Sequence, residues 1–303
     1  MKAEILVGDV RTRLSEIPDG SVQTCVTSPP YWGLRDYGQG DQIGLEETPQ
    51  EYVDSMVQVF REVWRVLADD GTLWLNIGDS YSGSGKGPAG NLGKKNDERN
   101  MEKKHSAIVP DGLKPKDLVW IPWRLAFALQ ADGWYLRQDI IWAKPNPMPE
   151  SVTDRCTKSH EYLFLLSKSN KYYFDNEAIK EPTVTKDNTN RDRDSSKLNN
   201  TPGRSRSGGL KTNNYDMRNK RDVWNIPTKP FKGAHFAVMP EALVEPCILA
   251  GSRHGDLVLD PFTGSGTVAV VSLKNGRDFI GTELNPEYAD IAVDRIGMGA
   301  EIK

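Results

Sequence analysis

Short apolar runs alternate with helix-period segments along nearly the whole chain, and that alternation demands a parallel-rich sheet covered on both faces. Residues 5–7, 23–27, 72–77, 135–142, 162–166, 257–259 and 278–282 read as buried strands. Residues 49–67, 115–131, 268–275 and 286–296 carry the helical period. Two helix starts are marked by Thr48-Pro49 and Asn285-Pro286, each a capping residue followed by proline at the first helical position.

Two polar segments, 82–111 and 181–221, break the alternation and are too long for ordinary turns in a compact domain. One core carrying insertions therefore suits the 303 residues. The net charge of −3 announces no nucleic-acid binder, but a whole-chain sum averages over faces that differ. Residues 186–222 hold ten Lys/Arg against five Asp/Glu, a local +5 suited to phosphate contacts or to a solvated loop. No apolar run approaches the roughly 18 residues of a membrane span, and the N-terminal run breaks at Gly8-Asp9, too early for a signal peptide. A soluble, cytoplasmic protein is expected. Cys25, Cys156 and Cys247 are odd in number and lack CxxC spacing, which argues against disulfides and a zinc site. His160-Glu161 has no second histidine on a helix face, so no metal is expected.

Two segments at strand ends carry chemistry. In Ser28-Pro29-Pro30-Tyr31-Trp32, a hydroxyl and a carbonyl offer acceptors beside aromatic rings, while consecutive prolines stiffen the backbone and remove competing donors. Such a turn suits a planar ring bearing an amino group. Asp260-Pro261-Phe262-Thr263-Gly264-Ser265-Gly266-Thr267 leads from a strand into a helix, with glycines that let a nucleotide-like ligand approach the backbone. Glu283, about twenty residues on at the next strand end, is placed to accept from ribose hydroxyls. The dinucleotide fingerprint Gly-x-Gly-x-x-Gly is absent, and Gly83-Ser84-Gly85-Lys86-Gly87 lacks the upstream Gly and following Ser/Thr of a phosphate loop. Pro246-Cys247 has the form of a thiolate nucleophile, but its apolar helical context reads as a buried core residue.

The pair of segments resembles those of the amino-methylating DNA methyltransferases, the N4-cytosine and N6-adenine enzymes. Their order, catalytic segment first and cofactor loop last, is similar to the beta-class permutation and covers nearly the whole chain. The resemblance implies an α/β Rossmann-like S-adenosylmethionine-dependent methyltransferase fold, with a mostly parallel seven-stranded sheet and helices on both faces. Residues 1–180 would form the catalytic part with polar loop 82–111, residues 181–222 the target-recognition insertion, and residues 223–303 the cofactor-binding part. Ser28, Pro29, Pro30, Tyr31 and Trp32 would hold the amino group and base. Asp9, His235, Phe236, Asp260, Pro261, Phe262, Gly264, Ser265, Gly266, Thr267 and Glu283 would line the S-adenosyl-L-methionine pocket. The expected partner is double-stranded DNA, bound by a monomer or homodimer, with a cognate restriction endonuclease as a further partner. Ser before Pro-Pro resembles the cytosine enzymes, so N4 of a flipped cytosine is the expected target. N6 of adenine is the alternative with the same geometry, and a catalytically silent DNA-binding protein is a remoter one. Residues 144–150, with Arg155 and His160-Glu161, either shape the base pocket or hold a loop.

Overall fold

The computed structural model describes residues 1–34, 42–83, 109–183, 216–228, 238–297 and 300–303. Most of both polar segments, and the expected cofactor residues His235 and Phe236, lie outside the described residues. Residues 1–175 and 222–303 form one compact unit, and residues 176–221 a second.

The first half of the large unit runs β1 (Ala3–Val7), α1 (Val10–Arg13), β2 (Val22–Thr27), α2 (Pro49–Val66), β3 (Leu67–Ile77), α3 (Ile121–Ala131), β4 (Tyr135–Ala143) and β5 (His160–Ser167). In the smaller unit, β6 (Glu181–Pro182) pairs antiparallel with β7 (Met217–Arg218), and Glu181 is held between Arg218 and Arg221. The large unit resumes with β8 (Val223–Asn225), α4 (Glu241–Gly251), β9 (Leu257–Asp260), α5 (Thr267–Lys274), β10 (Asp278–Glu283), α6 (Pro286–Ile296) and β11 (Ala300–Ile302).

Among the described residues these strands make a nine-stranded sheet in the order β11-β1-β10-β9-β2-β3-β5-β4-β8. β5 is antiparallel to both its neighbours, and every other pairing is parallel. Nine replaces the expected seven because β8 and β11 are three-residue edge strands, too short to show a periodic signal. They exist through their partners, Ile141↔Val223 on one side and Ala3↔Ala300 on the other.

The helices form where sequence and packing agree. In α2, Thr48 accepts from the Glu51 amide at 3.2 Å while the Glu51 carboxylate takes the Thr48 amide at 3.0 Å, a complete capping box ahead of Pro49. Its Tyr52, Val53, Met56, Val59, Phe60 and Val63 then fall on one buried stripe. Helix α3 starts at Ile121, six residues after the expected Pro115, because Lys116 and Trp120 adopt positive φ (73° and 65°) and interrupt the helical path. The Asp79 carboxylate, from the end of β3, takes the Ile121 amide at 3.1 Å and starts the helix from outside. No helix among the described residues is long and apolar enough to cross a membrane.

Packing around α4 gives a first expected result. A Cβ on Gly251, the last residue of α4, would lie 2.6 Å from Thr24 Oγ1, 2.9 Å from Thr72 Oγ1 and 3.0 Å from Trp74 Nε1, all side chains of buried strand residues. Gly251→Ala is therefore expected to lower unfolding stability by about 2 kcal/mol in urea titrations, as overpacking of a rigid core does. An unchanged midpoint would mean that α4 lifts freely from the sheet.

Candidate active site

In an open parallel sheet, ligands bind outside the carboxyl ends of the strands where successive crossovers leave in opposite directions. Here β9 passes through α5 to β10 on one side, whereas β2 passes through α2 to β3 on the other. The switch point falls between β9 and β2. It is bridged by the Thr27 hydroxyl, which donates to Asp260 Oδ1 at 2.7 Å, both residues buried. The residue just before the first segment thus touches the first residue of the second. Burial raises the Asp260 carboxyl to about 7, a shift that the Thr27 and Phe262 hydrogen bonds oppose and the Glu283 charge assists. Since β5 alone runs backwards, its first residues share this sheet edge with the ends of β2, β3 and β4.

The turn after β2 is fixed from several directions. Tyr52 donates its hydroxyl to the Pro30 carbonyl at 2.8 Å. Among the described residues no protein group donates to the Pro29 carbonyl. Trp32 is buried in the core and its indole donates to the Glu46 carbonyl at 2.9 Å, so its position is that of an anchor. Tyr31 is partly buried, its ring so close to Gly78 that a Cβ there would lie 2.5 Å from Cε2. Its hydroxyl lies 3.4 Å from Ser28 Oγ and 2.8 Å from Glu161 Oε2. Burial first, and the Glu161 charge second, push the Tyr31 phenol well above its ordinary range.

Glu161, Lys144 and Asn76 are neighbours to which strand periodicity assigns no chemistry. Lys144 pairs with Glu161 Oε1, both side chains 17% exposed, and its ammonium sits 4.2 Å from the centre of the Trp142 ring. Asn76 donates to Glu161 Oε2 at 3.3 Å and to the Tyr162 carbonyl at 3.1 Å. Beside them, Asp79 Oδ2 is buried without a hydrogen bond among the described residues, and burial raises that carboxyl. Burial lowers the nearby Lys158 and His160 from their ordinary values.

The second segment is built as an open backbone turn. Gly264 and Gly266 take φ of 51° and 75°, conformations that a side chain opposes. Among the described residues, a Cβ on Gly264 would meet nothing nearer than the Phe262 carbonyl at 3.9 Å. The Gly264 amide donates to Glu283 Oε2 at 2.8 Å, and Glu283 Oε1 takes the Asn285 amide at 2.9 Å. Each oxygen keeps lone-pair capacity for a further donor. Burial raises Glu283 above the usual carboxylate range. Pro261 accepts from the Thr282 hydroxyl at 2.6 Å. Arg295 of α6 clasps the turn from behind, donating to the Ser265 carbonyl at 2.6 Å, Ser265 Oγ at 2.8 Å and Thr267 Oγ1 at 3.2 Å. Asp9 caps α1 through the Arg11 amide at 2.8 Å and pairs with the Arg11 guanidinium, which holds its carboxyl below the usual range. Cys247 and Cys25 are fully buried, and burial raises the Cys25 thiol well above its ordinary range. Neither is a nucleophile poised for solvent or ligand. No cluster of three His, Cys, Asp or Glu suited to a metal occurs among the described residues.

A family model described as DNA methylase, covering N6 and N4 enzymes, matches residues 22–294. Type II methyltransferase M.Cfr9I of Citrobacter freundii is 53% identical over 97% of this chain and 87% of its own. Type II methyltransferase M.SmaI of Serratia marcescens is 50% identical over 97% of this chain and 90% of its own. The cytosine-N4-specific PvuII DNA methyltransferase superimposes with a TM-score of 0.66 at 19% identity, covering 98% of this chain and 87% of that one. A DNA modification methylase of Thermus thermophilus, solved with S-adenosyl-L-methionine, gives a TM-score of 0.60 at 23% identity and 99% coverage of both chains. At these identities the two structures speak to the fold.

Proposed function

Since the chain belongs to the N6/N4 DNA methylase family, we propose that it transfers a methyl group from S-adenosyl-L-methionine to the N4 amino group of a cytosine flipped out of duplex DNA. The observation that carries this reading is the turn after β2. It presents the Ser28 hydroxyl and a Pro29 carbonyl that no described residue engages beside the Tyr31 ring, across the switch point from the Gly264 turn.

The donor set around that turn fits the cofactor. Glu283 would offer lone pairs to ribose hydroxyls, the Gly264 turn, which no described residue crowds, would let the ligand lie against the backbone, and Asp260, Phe262, Gly266 and Thr267 would frame it. Asp9, at the end of β1, would border its adenine end. Bound S-adenosyl-L-methionine supplies an electrophilic methyl group on a sulfonium. The chain's part is to bring the amino nitrogen in line with that methyl group. Ser28 and Pro29 would accept the two amino N–H bonds, drawing the nitrogen lone pair out of conjugation with the ring. Tyr31 would lie against the base, which must leave the duplex to reach this depth. No covalent intermediate is needed, in keeping with the burial of both Cys25 and Cys247.

Cytosine is favoured over adenine by Ser28 at the head of the Pro-Pro turn, the residue that similar cytosine enzymes carry. Residues 181–222 are proposed as the target-recognising insertion, supported by their local excess of Lys and Arg. A companion restriction endonuclease is proposed as a further partner.

The test is direct. Purified protein is incubated with S-adenosyl-L-methionine and mixed-sequence duplex DNA, the DNA is digested to nucleosides, and methylated species are identified by mass spectrometry. N4-methylcytosine is the expected product. N6-methyladenine would reassign the base, and unmethylated DNA would overturn the reading.

A further inference from the structure

Ser28 serves an amino group only if its lone pairs, and not its proton, face the ligand. A hydroxyl rotates freely, so something must direct that proton away. The geometry points to the Glu161–Lys144 ion pair as the device that sets this polarity: acting through Tyr31, it turns the Ser28 hydroxyl proton inward and fixes Ser28 as an acceptor.

The steps follow from donor and acceptor counts. An ionised carboxylate only accepts, and Lys144 holds Glu161 in an ion pair from its other oxygen. The Tyr31 phenol, buried and kept protonated beside that charge, has one proton to give. Three acceptors lie within reach, Glu161 Oε2 at 2.8 Å and Asn76 Oδ1 and Ser28 Oγ each at 3.4 Å. The shorter bond to the charged oxygen wins. With its proton directed to Glu161, the Tyr31 oxygen faces Ser28 Oγ, 3.4 Å away, as an acceptor alone. This contact is long, and it sets direction more than strength. The lowest-energy arrangement therefore points the Ser28 proton toward Tyr31 and leaves the Ser28 lone pairs outward. Asn76 holds Glu161 in register by donating to the same Oε2. The register Trp142↔Glu161 places Lys144 two residues beyond the pairing, within reach of the carboxylate.

The inference rests on the reading of Ser28 given above. It makes Glu161 a positioning residue. A purely structural ion pair, pinning the start of β5 to the end of β4, predicts something different, and a double-mutant cycle separates the two. Single-turnover methyl transfer is measured at saturating S-adenosyl-L-methionine and duplex DNA for Glu161→Gln, Tyr31→Phe and the double variant. A glutamine can donate to Tyr31 and reverse the chain of protons. Glu161→Gln is therefore expected to slow transfer about 10-fold with KM for DNA unchanged, the scale of one hydrogen bond to a charged group. In the Tyr31→Phe background the same change is expected to have less than about 2-fold effect, because the link to Ser28 is already cut. Equal effects in both backgrounds would overturn the inference. If Glu161→Gln fails to fold by circular dichroism, Lys144→Met enters the same cycle with the same two outcomes. Ser28→Ala run alongside keeps the two claims apart: transfer undiminished by Ser28→Ala would sink the reading of Ser28 itself, whereas loss there with additive Glu161 and Tyr31 effects would sink the polarity claim alone.

Discussion

Ser28→Ala is expected to lower the single-turnover rate of methyl transfer by roughly 100- to 1000-fold, the range measured when one preorganised polar group is removed from a developing charge. Affinity for S-adenosyl-L-methionine should change little, because the Gly264 turn and Glu283 lie across the switch point on other strands. The exocyclic nitrogen of a cytosine is a poor nucleophile as long as its lone pair is shared with the ring. Two acceptors on its hydrogens favour the more tetrahedral form that attacks, and on the proposed reading the turn supplies two, Ser28 Oγ and the Pro29 carbonyl. The Pro29 carbonyl survives the substitution, so residual transfer well above the uncatalysed level should remain. Fold stability should hold, since Ser28 is partly exposed and among the described residues its side chain makes one hydrogen bond, the long one to Tyr31. A rate within a factor of a few of the wild type would move the amino group's acceptors elsewhere. A lost cofactor affinity would make Ser28 part of the other pocket.

The strands and helices that carry this chemistry are legible in the sequence because each has a local cause. Thr48-Pro49 and Asn285-Pro286 mark helix starts with a cap and a fixed φ, and both caps form, Asn285 through the Glu287 amide at 2.9 Å. The two turns proposed to carry chemistry stand where apolar runs stop. The helix start at residue 115 is misplaced because proline there does fit a first turn, whereas the carboxylate that takes the first helical amide belongs to Asp79, some forty positions away in sequence and brought near by β3. Sequence order is blind to such a partner. Glu161 and Lys144 show the same limit. They sit in a strand and a proline-rich segment with no motif spacing between them, and only the antiparallel reversal of β5 sets them side by side at Tyr31. Arg295 lies near the end of a helix, where a cation has an ordinary role beside the last carbonyls, yet its guanidinium reaches back to Ser265 and Thr267.

Asp260→Asn is expected to weaken the pH dependence of stability around this junction. The carboxyl, raised to about 7 by burial in the folded protein, returns to the ordinary value near 3.9 when the chain unfolds. Between these values the folded state binds more protons than the unfolded one, so stability falls as pH rises through that window. The contribution is fully present below about pH 4 and lost above about pH 7, and its full size is on the order of 4 kcal/mol. Asparagine keeps an oxygen for the Thr27 hydroxyl and the Phe262 amide, the two bonds that Asp260 Oδ1 accepts at 2.7 and 3.0 Å, and it never ionises. Glu283 is raised by burial too and contributes in the same direction, so the variant should retain part of the slope. Urea unfolding at pH 5 and pH 8 tests this, with the variant gaining on the wild type as pH rises. Parallel stabilities across that range would mean that the Asp260 charge is solvated at the junction, and that Thr27 and Asp260 meet at a wetter switch point than the buried pair implies.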